Sequence, residues 1–318
     1  LINISGLHKF RYELEILLIE SIQRDRKSSF KDYLCKPRLN VVSYLWIFVM
    51  IHINQTQIDY FHKNGFISPI RVFSEKETVK IRNQFEQAES NAKPGLEKKT
   101  RDHLFITHTW AWDLVHEPRI VDPISDVLGP NVLLWSMDWF IKEPGPSFVS
   151  YHQDATYWGL YPHHVATAWI ALSDAGPMTG PMKFIPGSHI GPLYEQENTF
   201  EEINLLSRGQ RVKTEINDED SILAPLSQGE MSIHDVRTIH ASEPNISNNR
   251  RIGMVLRYCA TDVKQTKIDQ DKAILVKGED HHQNFGMIPR PISDMDDKAQ
   301  ALAQSHGQIR TKALMDLD

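Results

Sequence analysis

Residues 151–160 read YHQDATYWGL, and within them His152 and Asp154 stand two positions apart among the aromatics Tyr151, Tyr157 and Trp158. Side chains of an extended chain alternate between faces, so His152 and Asp154 are expected on one face and Gln153 on the other. An imidazole and a carboxylate on one face can ligate a metal. They can equally form a buried hydrogen-bonded pair, or sit as two polar groups on a wet sheet face. A metal site needs a third ligand, and GEMSIHDVRTIHASEPNISNNRRIGMVLRY (229–258) offers two, His234 and His240. Arg251 follows His240 by eleven residues. Alternation groups it with Gly253 and Val255 and leaves Ile252, Met254 and Leu256 on the other face.

The chain around these residues has an ordinary globular composition, 41% hydrophobic and 24% charged over 318 residues. That length allows one large domain or two small ones. A formal net charge of -6 and the lack of a long basic run argue against a nucleic-acid partner. Two distant cysteines, Cys35 and Cys259, exclude a disulfide framework and a thiolate zinc site, and they fit a reducing, cytoplasmic setting. The sequence holds no P-loop, G-x-G-x-x-G, H-E-x-x-H or G-x-S-x-G, which removes several common enzyme classes. Met50 is the first methionine, and residues 41–51, VVSYLWIFVMI, are too short an apolar run to span a bilayer. No stable membrane insertion is expected. Residues 1–50 are read as a separate segment preceding a translation start at Met50.

The elements that must position the polar residues come in two groups. TQIDYFHKNG predicts a helix capped by Thr56 and closed by Gly65. Ser74 with Glu77 forms a capping box for a helix carrying Ile81, Phe85 and Ala88 on one face. Asp122-Pro123 reads as the N-cap and first residue of a third helix, through Ile124, Val127 and Leu128 to Gly129. Then the period changes. Runs at 135–142, 164–173, 181–189, 229–236 and 250–258 are strand-like and separated by Gly, Pro, Asn and Ser. This is a mainly β fold with flanking helices, a sandwich or jelly roll. Residues 195–220 read as a long insertion, and a last helix is expected from Ser293 through Met295, Ala299 and Leu302.

With these residues in place the chain resembles the phytanoyl-CoA dioxygenase family of iron(II)/2-oxoglutarate-dependent oxygenases. The likeness runs from about Gln55 to Arg290 and includes FHKNGF, VLGPNV, FIKEPG, HQDATYWGL, TAWIALSD, IPGSH and HASEPNIS followed by RRIGMVLRY. The resemblance implies a double-stranded β-helix (cupin-like jelly roll) over a catalytic domain at 51–290, with 291–318 as a C-terminal helix and tail. It implies that His152, Asp154 and His240 hold Fe(II). Two imidazoles and a carboxylate on one side of iron leave positions for 2-oxoglutarate and O2. By the same resemblance Arg251 binds the far carboxylate of 2-oxoglutarate, a task suited to a planar guanidinium, and Ser242 and Trp169 also touch the cosubstrate. Gln153, Tyr157 and Trp158 are candidates for the substrate pocket.

The implied activity is hydroxylation of a small organic molecule, with release of succinate and CO2. A halogenase on this scaffold needs a small residue in place of the carboxylate, and Asp154 argues against it. A non-catalytic jelly-roll binding protein is the rival from another class, and uncoupled succinate production would separate the two. Two positions depart from the pattern. Pro123 should make its helix start late or kink. Asp138 puts a carboxylate where a small polar residue is expected; facing the pocket, it would alter cosubstrate binding or the preferred charge of the substrate.

Overall fold

The run Val165–Ala171 is buried at every position, which requires apolar neighbours on both faces of the strand. A computed structural model, which describes residues 53–92 and 101–315, shows how this is met. The residue 1–50 segment read from the sequence lies outside the described residues. Helix α1 (Gln55–Asn64), strand β1 (Phe66–Arg71), α2 (Glu75–Ser90), α3 (Leu104–Thr107), α4 (Thr109–Val115) and α5 (Pro118–Leu128) precede the main β region. There follow β2 (Val132–Lys142), β3 (Val149–His152), α6 (Ala155–Trp158), β4 (Leu160–Tyr161), β5 (Val165–Ala171), β6 (Met182–Phe184), β7 (Gln196–Asn198), β8 (Gln210–Val212) and β9 (Ile222–Ala224). The chain continues with β10 (Glu230–Asp235), β11 (His240–Ser242), β12 (Arg251–Ala260), β13 (Lys264–Gln265), β14 (Lys272–Lys277), β15 (Gly286–Met287) and α7 (Asp297–Met315).

Seven strands form one sheet in the order β1-β10-β5-β12-β2-β14-β15, and β3-β11-β6-β9 form a second. This is a jelly roll flanked by helices. The outer face of the large sheet, with Ile170, Ile252, Met254 and Leu256, packs into a core that includes Phe85, Phe105, Ile120 and Ile124 of the helices. Its inner face, with Phe66, Trp169 and Val255, packs on Met182, Phe184 and Ala224 of the small sheet. Strand β12 therefore divides as alternation requires.

Several local expectations shift. Helix α1 is capped by Asn54, whose side chain and Gln57 make a reciprocal capping box, and Thr56 lies inside it. Gly65 does close it, at φ 83. Helix α2 begins at the Ser74/Glu77 box as expected. Helix α5 starts five residues earlier than read: Pro118 occupies the N-terminal position and Pro123 lies within the helix. A proline fits the first turn without losing a bond, whereas Pro123 forgoes one. Residues 195–220 contain the β7–β8 ribbon and a short 3-10 turn at Asp218–Asp220. The last helix, α7, begins at Asp297, after a turn in which Met295 donates its N–H to the Thr107 carbonyl.

Candidate metal and cosubstrate site

The two histidines of the triad meet through sheet register. Strand β3 pairs with β11 so that His152 lies opposite His240, and their rings stand 4.1 Å apart. Asp154 arrives differently from the expectation. β3 ends at His152, and Asp154 adopts helical angles (φ -62, ψ -37) as the cap of α6. The chain turns there, and the turn, not strand alternation, brings the carboxylate back to the rings. His152 Nε2 lies 3.3 Å from Asp154 Oδ1 and His240 Nε2 4.0 Å from Oδ2. One ligand atom from each residue falls within 4.8 Å of the others.

The protonation of this cluster suits a divalent cation. His152 Nδ1 stands 2.9 Å from the Ser150 carbonyl, and His240 Nδ1 2.9 Å from the Thr238 carbonyl. A carbonyl only accepts, so each Nδ1 carries the hydrogen and each Nε2 lone pair is left for a ligand bond. Burial works against the charge on Asp154, but the adjacent His152 and His234 imidazoles hold it well below the usual carboxylate range. Tyr157, one turn along α6, donates to Asp154 Oδ1 at 2.8 Å. Burial, then the neighbouring His152 and His234, push His240 well below the usual imidazole value. A carboxylate beside two imidazoles with Nε2 lone pairs on offer is the donor set that metal binding demands.

An inner cavity runs from the triad to Arg251 and is walled between them by Trp169, Val255 and Ser242. Arg251 is 1% exposed. Its guanidinium lies 5.2 Å from the Trp169 ring and donates to the Gly180 carbonyl. Burial draws its pKa down to about 9, which leaves it charged at neutral pH. Lys142 sits opposite Arg251 in the β2–β12 register. Its Nζ lies within hydrogen-bonding reach of Ser242 Oγ at 2.7 Å, of the Ser242 carbonyl at 3.1 Å, and of the Glu243 carbonyl. Burial, with Arg251 nearby, lowers Lys142 to about 6. Arg250 points to the other face and pairs with Glu89 and Glu143.

A larger cavity of about 430 Å³ adjoins the inner one, and Phe140, Tyr157, Leu206 and Arg257 line both. Arg257 is ion-paired to Asp138, bonds Ser136 Oγ at 3.1 Å, and lies 4.8 Å from the Trp158 ring.

Residues 61–253 match the phytanoyl-CoA dioxygenase (PhyH) family. The chain belongs to that family. It is 32% identical over 202 residues to a probable alpha-ketoglutarate-dependent hypophosphite dioxygenase of Stutzerimonas stutzeri, covering 62% of this chain and 67% of that protein. The solved non-heme monooxygenase ThoJ superposes with a TM-score of 0.73 at 27% identity, covering 81% of this chain and 97% of that one. CytC3 with Fe(II) and alpha-ketoglutarate has the same fold, at TM-score 0.56 and 19% identity, covering 75% of this chain and 99% of that one. This phytanoyl-CoA dioxygenase family member is an iron(II)/2-oxoglutarate-dependent oxygenase, and its donor set of two Nε2 atoms and one carboxylate fits iron(II).

Of the residues singled out in the sequence, His152, Asp154, His240, Arg251, Ser242, Trp169 and Tyr157 gather around the inner cavity, and Trp158 lines the outer one. Gln153 is in neither wall. It is fully buried, donates to the Arg237 carbonyl at 2.8 Å and accepts from the Tyr194 N–H at 2.8 Å, tying loops together behind the site. His234 lies beside the cluster, Nε2 3.9 Å from Asp154 Oδ2. The sequence named it only as an alternative to His240. Lys142, Arg257 and the helix residues His306 and Arg310 were missed. FIKEPG and RRIGMVLRY contain the first two, and only strand pairing shows what they face. Among the described residues no helix is long and apolar enough to cross a membrane.

Proposed function

We propose that this oxygenase hydroxylates a small organic molecule, with His152, Asp154 and His240 holding iron(II) and Arg251 holding the far carboxylate of 2-oxoglutarate. The observation that carries the reading is one buried cavity with a convergent His-Asp-His cluster at one end and a buried guanidinium at the other. Bound iron(II), with 2-oxoglutarate and O2, supplies the oxidising power, yielding succinate and CO2 alongside hydroxylated product. The chain itself orients and shields. Tyr157 fixes Asp154 through its hydroxyl, and the Ser150 and Thr238 carbonyls fix the two imidazoles. Lys142 holds Ser242, and the Trp169 indole backs Arg251. Tyr157 and Trp158 wall the substrate side and exclude water.

The catalytic unit in this reading is 51–290, with α7 contributing His306 and Arg310 to the outer cavity. A cytoplasmic setting is supported by the free, buried Cys259. The test is to incubate purified protein with iron(II), 2-oxoglutarate and metabolite pools and read succinate and product masses. A substrate-dependent gain of one oxygen, matched by succinate, is expected. Stable binding of iron and cosubstrate with no succinate from any pool refutes the reading.

A further inference from the structure

We infer that the substrate carries a compact anionic group, a carboxylate, phosphonate or phosphate, seated on Arg257 where the inner cavity opens into the outer one. The inference rests on the oxygenase reading and names the substrate class of that site. Arg257 is 8% exposed and is the one arginine that lines both cavities, whereas Arg251 lines only the inner one. Alternation along β12 points the two arginines to the same face. Asp138 and Ser136 engage Arg257 through Nη1, and its buried Nε has no partner. Asp138 is itself partly exposed, at 31% of its side chain, so water screens the charge it offers.

The rest of the outer wall says the same thing about the ligand. Arg101 Nε, Trp139 Nε1 and Gln210 Nε2 are also buried and without partners. Each is an N–H donor that cannot accept a hydrogen bond. The Gln210 amide is oriented by its Oε1, which accepts the Arg208 backbone N–H at 3.1 Å, so its NH2 is the unpartnered end. Among the described residues lining this cavity, no buried side-chain oxygen is left unpartnered, and the one unpartnered acceptor is a ring nitrogen of His306, whose other ring nitrogen is a further donor. A wall with more unpartnered donors than acceptors, and the Arg257 guanidinium at its junction with the inner cavity, is complementary to a ligand rich in acceptors and negative charge. A neutral alcohol offers a single acceptor oxygen and an ammonium none, so neither meets all of these donors or the charge of Arg257. The donors other than Arg257 line only the outer cavity, which assigns the anion to the substrate and not to the cosubstrate.

The experiment uses the full chain loaded with Ni(II), which supports no turnover, and saturating 2-oxoglutarate. Methylphosphonate, inorganic phosphate, acetate and the neutral dimethyl sulfone are titrated by calorimetry. At least one anion is expected to bind saturably and the sulfone not at all, and the order among the anions reads which oxyanion the seat prefers. Arg257→Gln should weaken that binding tenfold or more, and Gln210→Leu several-fold. Because Arg257→Gln strands Asp138, the double variant Asp138→Asn/Arg257→Gln restores charge balance, and it too should fail to bind. Asp138→Asn alone should bind at least as well as the parent.

Three results overturn the inference while leaving the oxygenase reading intact. The parent may hold nickel and 2-oxoglutarate yet bind none of the anions; the sulfone may bind as well as they do; or Arg257→Gln may lose 2-oxoglutarate by the same factor as the anion, which would make Arg257 part of the cosubstrate site. If the parent binds neither nickel nor 2-oxoglutarate, the oxygenase reading fails and this inference falls with it.

Discussion

Arg251→Ala isolates the cosubstrate end of the cavity from the metal end. The side chain is almost wholly enclosed, stacked on Trp169 and aimed into the inner cavity. Truncating one partner of a buried, hydrogen-bonded charge pair costs about 2–5 kcal/mol. At ~1.4 kcal/mol per decade, that is roughly 30- to 3,000-fold in affinity. Lys142 is close to Arg251, but burial lowers its pKa to about 6 and its hydrogens are engaged by Ser242 and Glu243, so it replaces the guanidinium only in part. The expected loss is therefore near the middle of the range, on the order of 100-fold. Arg251→Lys should recover only part of it, because an ammonium keeps the charge but lacks the two-pronged geometry.

The assay is a pair of anaerobic titrations, iron(II) first and 2-oxoglutarate second. Iron(II) affinity without cosubstrate should change little, since Arg251 makes no contact with the His-Asp-His cluster. Arg250→Ala is the control: it removes ion pairs to Glu89 and Glu143 on the opposite face and should leave 2-oxoglutarate binding within a small factor. The reasoning is refuted if Arg251→Ala binds 2-oxoglutarate like the parent, or if Arg250→Ala is the variant that loses it.

Other outcomes follow from the same geometry. Asp154→Ala removes the only anionic member of the cluster, so iron(II) retention and coupled turnover should both collapse; normal hydroxylation by this variant would sink the triad assignment. Gly253→Ala would place a Cβ 2.1 Å from Trp169 Cζ2, forcing the indole toward the cavity, and calorimetry should show weaker 2-oxoglutarate binding in a protein that still holds iron. Lys142, lowered to about 6 by burial, is neutral at pH 7.5 before the cosubstrate arrives. A carboxylate bound beside it restores its charge, so 2-oxoglutarate binding should take up a proton and weaken by up to about tenfold per pH unit above 6. Titrations in two buffers of different ionisation enthalpy would reveal the uptake, and Lys142→Met should abolish it.

Local signals in the sequence were reliable where a single element decides the outcome. The alternation along β12 separates Arg251, Gly253 and Val255 from Ile252, Met254 and Leu256, because one face meets the cavity and the other the helical core. The Ser74/Glu77 capping box opens α2 where it should. His152 and Asp154 do converge, but by a turn after β3 that the H-x-D spacing does not reveal. The start of α5 was misplaced because Asp122-Pro123 was read as the opener, whereas Pro118 takes the first position and Ile120 and Val121 pack into the core before Pro123 is reached. Lys142 and Arg257 were out of reach for a different reason. Their neighbours lie on other strands, and inter-strand register is not written in any local window.

That register also fixes the spacing between the two ends of the cavity. Across the large sheet, His234 pairs with Thr167, Thr167 with Arg257, and Arg257 with Ser136, forming one row at the metal end. Arg251 and Lys142 form another row six residues away along β12, roughly 20 Å by strand rise. The even, six-residue step from Arg251 to Arg257 keeps both side chains on the cavity face. Inserting or deleting one residue there would send one arginine into the helical core. Just past Arg257 the pairing with β2 slips, leaving Trp135 unmatched between Ser136 and Leu134. A bulge of this kind re-aims the residues beside it, and here it lies where the two cavities join. Arg251, the proposed cosubstrate anchor, can therefore be held by a regular strand while the proposed substrate seat at Arg257 is adjusted at the bulge, without disturbing the six-residue spacing between them.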